Sequence, residues 1–375
     1  MDKPIRVLQV VSSMDIGGIQ NYVMNLYRAI DKNSVQFDFI KHTSIEGKFE
    51  NEIKNSGGTF YSCPKYNGYN HGEYIRWWKH FFINHPEYHV IHGHVRSTAA
   101  IYLKIAKNHG LVTIAHSHST SNGSGISAFV KDTMQLPIRH TADYLFACSD
   151  KAGAWLYGKD ALTKPNYRMI PNGIDLKRFS FNVEKRCQMR KELGISESTF
   201  VVGHIGRISM PKNHKFLVEL FAKYHKENPN SKLLLVGDGE LFEEVKQQCV
   251  QLGICDAVIM TGSKINTEDY YQMMDVFVFP SLWEGLPVSV VEAQTSGLNC
   301  LISDVITHDV DLTDLIQYIP LDNKRLWIEQ LENTQKKCRL AVSTENMKKL
   351  QLFDSKDVAA RLQEFYMELD ARARK

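Results

Sequence analysis

Short apolar runs alternate along this chain with longer stretches in which apolar residues recur every three or four positions. Ile5 to Val11 is the first such run, followed by two serines, Gly17-Gly18 and a helical pattern from Ile19 to Ile30. That order predicts strand, turn and helix. Further strands are predicted at Phe37 to Ile40, Val90-Ile91, Leu111 to Ala115 and Tyr144 to Ala147, with helix-length patterns between them. The rhythm restarts with strand Phe200 to Ile205, helix Asn213 to Lys226, strand Lys232 to Val236, helix Leu241 to Leu252 and strand Ala257 to Met260. Strand Asp275 to Phe279, helix Val288 to Ser296 and strand Asn299 to Ile302 follow. Such alternation implies parallel sheets joined by right-handed crossovers, hence an α/β fold of two doubly wound domains meeting near Asn172 to Asn182. After about Ile319 only helical patterns remain, at Leu326 to Leu331, Met347 to Leu352 and Val358 to Leu369.

Composition adds limits. A chain of 375 residues suits two domains, and its 43% hydrophobic and 23% charged content is that of an ordinary globular protein. Forty-five basic against 42 acidic residues leave a net charge of only +3, so nothing global points to nucleic acid. The seven cysteines are scattered, without a C-x-x-C pair, which favours reduced thiols in a cytoplasmic protein over disulfides or zinc. Val7 to Val11 is strand length, so neither a signal peptide nor a membrane span is expected at the start.

Candidate chemistry sits where predicted strands end. The run Val276 to Phe279 leads into Pro280-Ser-Leu-Trp-Glu284-Gly285-Leu286-Pro287 and then Glu292. Proline fits the first turn of a helix, which places Glu284 on the loop at the strand's carboxyl end and Glu292 about two turns along. Open α/β sheets bind ligands at that edge, and two acids there can accept hydrogen bonds from several hydroxyls. In isolation, the pair reads more simply as an exposed loop acid and a solvated helix acid. Arg207 and Lys212 follow the strand ending at Ile205 and precede a helix, a setting that suits a diphosphate; two surface bases are the plainer alternative. Gly17-Gly18 lets backbone amides approach an anion, or merely makes a tight turn; it is not a G-x-G-x-x-G fingerprint, which disfavours a dehydrogenase. His116-Ser-His118 follows another strand, where polar packing is the alternative, and His92-Gly-His94 suggests that histidines are placed freely in this chain. Gly262-Ser-Lys264 also follows a strand. Asp309-Val-Asp311 reads as an acidic pair at a helix start, not a metal site. The stretch Tyr74 to Phe82, with Trp77, Trp78 and Phe81, reads first as core and second as a membrane-facing patch.

The segment Phe279 to Ala293 resembles the Glu-x7-Glu signature of retaining glycosyltransferases of family four, which have the GT-B fold. Val11 to Gln20, Pro171 to Asp175, Gly206 to Asn213 and Val236 to Leu241 resemble further family motifs in the family's order, from residue 5 to about 305. The resemblance implies two Rossmann-like domains facing each other across a cleft: 1–178 for the acceptor, with a crossing helix 356–375, and 179–355 for the nucleotide-sugar. It implies retaining transfer from a nucleotide-diphospho-sugar to a hydroxyl of a glycan or lipid-linked acceptor. The Gly-Gly-Ile-Gln and Ala-His-Ser-His segments are similar to those of bacterial capsule and exopolysaccharide enzymes, which implies a uridine-diphospho-sugar and a surface glycan. By the same resemblance, Arg207 and Lys212 hold the diphosphate. Glu284 holds sugar hydroxyls with Gly285 and Leu286 beside it, and Glu292 holds the ribose. Gly17 and Gly18 close over the phosphates, Gly262 lies near the base, and His116 assists transfer, with His118 as second choice. No cofactor, metal or nucleic acid is expected, and the protein would be cytoplasmic with peripheral contact at the inner membrane face. Two alternatives keep the fold: a nucleotide-sugar epimerase or sugar phosphorylase, and a non-catalytic nucleotide-sugar-binding subunit. The intact Glu284, Glu292, Arg207 and Lys212 argue against the last.

Overall fold

The computed structural model describes residues 3–120, 125–336, 339 and 342–374, with 126 and 127 by backbone only; Cys338 lies outside them. The chain forms two compact units, one from Met1–Ile174 and Leu352–Lys375, the other from Asp175–Gln351. The expected boundary after residue 178 falls inside a short helix, Leu176–Phe179, that belongs to the second unit.

The first unit holds seven strands: β1 (Ile5–Val11), β2 (Val35–Lys41), β3 (Phe60–Ser62), β4 (Val90–Gly93), β5 (Val112–Ser117), β6 (Tyr144–Ala147) and β7 (Tyr167–Met169). They pair in parallel, in the order β3-β2-β1-β4-β5-β6-β7. Strand order reverses between β1 and β4, and at such a switch point the crossovers leave a crevice outside the carboxyl ends. Helix Gly18–Ala29 covers one face through Tyr22, Val23, Leu26 and Tyr27. The final helix, Ser355–Ala373, packs on the same core through Val358, Leu362, Phe365 and Tyr366. Its entry is fixed by Ser355 N–H donating to Ile174 O at 2.8 Å and by Asp354 capping Lys356 N at 2.8 Å. Gly173 permits this return, because a Cβ there would stand 2.9 Å from Ser355 Cα.

The second unit holds β8 (Phe200–Ile205), β9 (Ser231–Val236), β10 (Val258–Met260), β11 (Val276–Phe279), β12 (Asn299–Ser303) and β13 (Ile316–Ile319). These are parallel too, in the order β10-β9-β8-β11-β12-β13, with the reversal between β8 and β11. Its core includes Leu217, Phe221, Leu233, Leu235, Val278 and Trp327, all fully buried. Truncating Trp327 to alanine would cost about 3–5 kcal/mol. Among the described residues no helix is long and apolar enough to cross a membrane.

Sequence periodicity does not reveal β3, β7 or β13. All three are sheet edges, and Phe-Tyr-Ser and Tyr-Arg-Met are too short and too exposed to give an apolar run. β13 alternates as Ile-Gln-Tyr-Ile, half-covered as edge strands are. Pro287 stands at the cap, one position ahead of helix Val288–Thr295. The aromatic stripe of helix His71–Asn84 is core: Tyr74, Trp78, Phe81 and Phe82 are buried, and Trp78 stacks on Tyr102 with centroids 5.0 Å apart. Trp77 is half-buried and stacks on Phe81 at 5.3 Å.

Candidate active site

The second unit brings two distant segments together at its switch point. After β8 the chain runs through a 3-10 turn, Met210–Lys212, to helix His214–Glu227; after β11 it runs through Glu284 to helix Val288–Thr295. Leu282 N–H donates to Pro211 O at 2.8 Å, and the Asn213 side-chain amide donates to Pro280 O at 3.1 Å. Asn213 itself adopts φ 55°, the left-handed conformation that asparagine tolerates better than most residues. These bonds set the Lys212 ammonium 2.7 Å from Glu284 Oε1, with each side chain less than one-fifth exposed. Lys212 Nζ also lies 4.6 Å from the centre of the Phe279 ring. A shielded ion pair beside a helix with no side-chain cap combines a cation, a carboxylate and free amide dipoles.

Arg207 occupies the same edge but differs in kind. Its side chain is 72% exposed and pairs with Glu240 at 3.0 Å, so it is a surface base, whereas Lys212 is shielded. Glu292, on helix Val288–Thr295, is half-buried, and Tyr271 Oη stands 2.8 Å from its Oε2. Burial pushes its carboxyl up to about 7, against the lowering effect of the Tyr271 hydrogen bond. Gly285 and Leu286 lie on the loop between the two acids, and Leu286 is buried. Gly262 O accepts from Gly237 N–H at 3.0 Å, so this loop is stitched to the turn after β9. Gly262 has φ 68°, a conformation that alone accounts for glycine there. His204 and His214, missed by sequence reasoning, pack edge-to-face at 4.7 Å with both imidazoles pushed down in pKa by burial.

In the first unit, His92 and His94 end β4 while His116 and His118 end β5. Residues two apart share a strand face, so neighbouring parallel strands bring all four rings together. His92 Nε2 lies 3.1 Å from His116 Nδ1, and His94 Nδ1 lies 2.9 Å from His118 Nε2. The outer nitrogens are held as well: His92 Nδ1 meets Tyr366 Oη at 2.6 Å, and His94 Nε2 donates to Gln9 Oε1 at 2.9 Å. His116 and His118 stack with centroids 4.0 Å apart, and Tyr22 caps them. Burial lowers every one of these pKa values, His94 to about 3, so the rings are neutral near pH 7. His116 lies within β5 rather than after it, and His92-Gly-His94 is part of the same cluster rather than a sign of free placement. Its Nε2 is sealed from solvent with no hydrogen-bond partner among the described residues. The nitrogens of His92, His94 and His116 lie within 4.8 Å of one another, near enough to share a metal ion after small ring rotations.

Gly17 precedes helix Gly18–Ala29 in extended backbone, and neither glycine has positive φ. A Cβ added at Gly18 would meet no described atom within 4 Å. A tight turn therefore does not require glycine at 18, which leaves room for something that approaches from outside. The pair Asp309 and Asp311 flanks a 3-10 turn in which Asp311 is engaged by His308 at 2.8 Å and Tyr318 at 2.6 Å.

A family model described as "Glycosyltransferase Family 4" matches residues 16–178, and one described as "Glycosyl transferases group 1" matches residues 185–310. EpsF of Bacillus subtilis (strain 168), assigned by name to the glycosyltransferases, is 35% identical over 312 residues, covering 82% of this chain and 81% of that protein. The UDP-Gal:alpha-D-GlcNAc-diphosphoundecaprenol alpha-1,3-galactosyltransferase of Escherichia coli is 28% identical over 231 residues, 58% of each chain. Among solved structures, Anabaena HepE in complex with UDP and glucose is similar with a TM-score of 0.78 and 17% identity, over 97% of this chain and 100% of that one. At that identity the likeness shows the GT-B fold alone.

Proposed function

Because this chain belongs to the family-four glycosyltransferases, we propose that it transfers a sugar from a uridine-diphospho-sugar to a hydroxyl of a glycan or lipid-linked acceptor, with retention at the anomeric carbon, in surface-polysaccharide synthesis. The observation that carries the reading is the Lys212–Glu284 pair at the switch point of the second sheet. In the unliganded unit each charge offsets the other. With donor bound, the ammonium turns to the diphosphate, and the freed carboxylate accepts from sugar hydroxyls. Arg207, exposed at the surface, adds a second cation to the phosphates. Glu292 accepts from the ribose hydroxyls, and the amides around Gly285 and Leu286 complete the cradle. Similarity to proteins whose names or bound molecules include UDP supports the choice of base.

In the transfer, the bond from the anomeric carbon to the phosphate oxygen breaks while the acceptor oxygen bonds on the same face. The acceptor's proton passes to the departing diphosphate. Lys212, Arg207 and the helix dipole stabilise the charge that grows there, so the reading needs no metal. In the first unit, His116 would assist the transfer only after its sealed Nε2 is uncovered as substrate binds, and no described atom lies within 4 Å of where a Cβ on Gly18 would stand.

Thermal-shift measurements in chelator-treated buffer test the donor assignment. UDP and one of its sugar conjugates should raise Tm by mass action, with guanosine and adenosine diphosphates weaker. Equal shifts with all three diphosphates, or none with UDP, would overturn it. Retention is checked separately by the anomeric configuration of the product.

A further inference from the structure

Outside the residues used above, the first unit has a pocket of about 180 Å³ at the carboxyl ends of β1 and β4, lined by Ser12, His94, Arg96, Ser97 and Lys131 among others. Arg96 is its singular feature. It leaves β4 three residues ahead of helix Ala99–Asn108, and its guanidinium carbon stands 4.7 Å from the centre of the Trp155 ring. Its Nη1 is sealed from solvent and makes no hydrogen bond to a described residue. Burial lowers its pKa more than the nearby Tyr157, Cys148 and Asp132 raise it. Among the described residues, no aspartate or glutamate lines the pocket.

A guanidinium taken partly out of water without a carboxylate partner is costly, by up to several kcal/mol for a fully buried ion. The neighbouring imidazoles are neutral and so supply no counter-charge. What would relieve it is an anion. Arginine's fork fits two oxygens of a phosphate or carboxylate, and Lys131, exposed on the same wall, adds a second cation. The helix Ala99–Asn108 begins three residues after Arg96, and its Ala99 N–H donates to Arg96 O at 3.0 Å, which fixes the arginine's backbone at the helix start.

We propose that this pocket binds an anionic group, phosphate or carboxylate, on the acceptor, and therefore that the acceptor is an acidic molecule. The inference rests on the transferase reading, which gives the first unit to the acceptor. Two sources supply such a group: the phosphate that joins a sugar to a lipid carrier, and the carboxylate of an acidic sugar.

Calorimetric titration of the full chain, first saturated with UDP to occupy the nucleotide site, separates these cases. Inorganic pyrophosphate and glucuronate are the two probes, and glucose is the neutral control. One equivalent of pyrophosphate or of glucuronate should bind, and glucose should not; the tighter anion identifies the source. Arg96→Gln should weaken that binding at least tenfold, with Arg96→Lys intermediate and the UDP-induced Tm shift unchanged. Lys131→Gln, at an exposed position where folding is not at stake, should weaken it two- to threefold. Absence of binding by either anion, or binding undiminished in Arg96→Gln, would overturn the proposal. Loss of the UDP response in the wild-type protein would instead overturn the donor assignment.

Discussion

The two units share one topology rule and meet it with opposite chemistry. Each sheet reverses strand order once, and each gathers its polar groups at the carboxyl ends beside that reversal. The second unit gathers a charge pair, Lys212 with Glu284, and a carboxyl raised by burial. The first gathers four imidazoles that burial holds neutral, tied to one another and to Gln9 and Tyr366. On the proposed reading, the charged edge of the second unit meets the donor's diphosphate. The neutral rings of the first, their tautomers set by neighbours, orient rather than carry charge, which there falls to Arg96 and Lys131.

The comparison breaks most visibly at Lys212. Lys212→Ala should lower kcat/KM by about 10²–10³-fold, as loss of one preorganised charge-stabilising donor does. Tm should fall as well, because the pair is shielded and removing the ammonium leaves the Glu284 carboxylate without its counter-charge. The kinetics are therefore read at a temperature where the variant is folded. Glu284→Ala should also lose transfer. Because the two side chains act on one step, the double variant should be far less impaired than the product of the single losses. Steady-state kinetics with the donor found by thermal shift measures this; strict multiplicativity would mean that the pair is a packing feature.

A smaller effect is expected in the first unit. Tyr366→Phe removes the hydroxyl 2.6 Å from His92 Nδ1, frees the His92 tautomer and so loosens His116. We expect kcat to fall on the order of tenfold, against about a hundredfold for His116→Ala, by the usual scale of a positioned acid–base or hydrogen-bonding group. The tyrosine lies on the last helix of the first unit and touches none of the residues assigned to the donor's diphosphate or ribose, so donor KM should not change. Between pH 6 and 8 the histidine cluster should contribute no titration, because its pKa values lie well below that window. A kcat limb near pH 6.5 that vanishes in His116→Gln would contradict the neutral-cluster picture.

How much of this was legible beforehand follows the same division. Lys212, Glu284 and Glu292 stand next to apolar strands and a proline-led helix, so local pattern places them at one edge, and the family resemblance supplies their roles. The histidines do not announce themselves in that way. His92-Gly-His94 and His116-Ser-His118 are 24 residues apart, and only the pairing of β4 with β5 joins them. The usable signal was the repeated His-x-His at two successive strand ends, since a spacing of two puts both rings of each pair on one face. Arg96 carried no signal at all: its meaning comes from what fails to lie beside it. Three of the four edge strands, β3, β7 and β13, were missed for a related reason, because a strand with one neighbour needs little apolar sequence, while the edge strand β10 was read at Ala257 to Met260.

The smallest expected effect sharpens the comparison through pH. Glu292 has its carboxyl raised from 4.5 to about 7, mainly by burial. A folded pKa above the unfolded value means that between pH 4.5 and 7 the folded state holds a proton that the unfolded chain has released. Stability therefore declines as pH rises through that window and stays at the lower level above it. Glu292→Gln keeps the shape and removes the ionisable group, so the variant should be more stable than wild type at pH 8. The difference should be on the order of 1–3 kcal/mol, or a few degrees in Tm, and should vanish at pH 4.5. The ionised carboxylate is nonetheless the better acceptor for ribose hydroxyls, so wild-type affinity for UDP should improve as pH rises from 6 to 8, while that of Glu292→Gln should be weaker and flat. Differential scanning calorimetry at the two pH values, with UDP titrations alongside, reads both quantities. A stability gain joined to a binding loss would mark Glu292 as a group held for its ligand at the fold's expense; a variant less stable than wild type at pH 8 would assign it to structure alone.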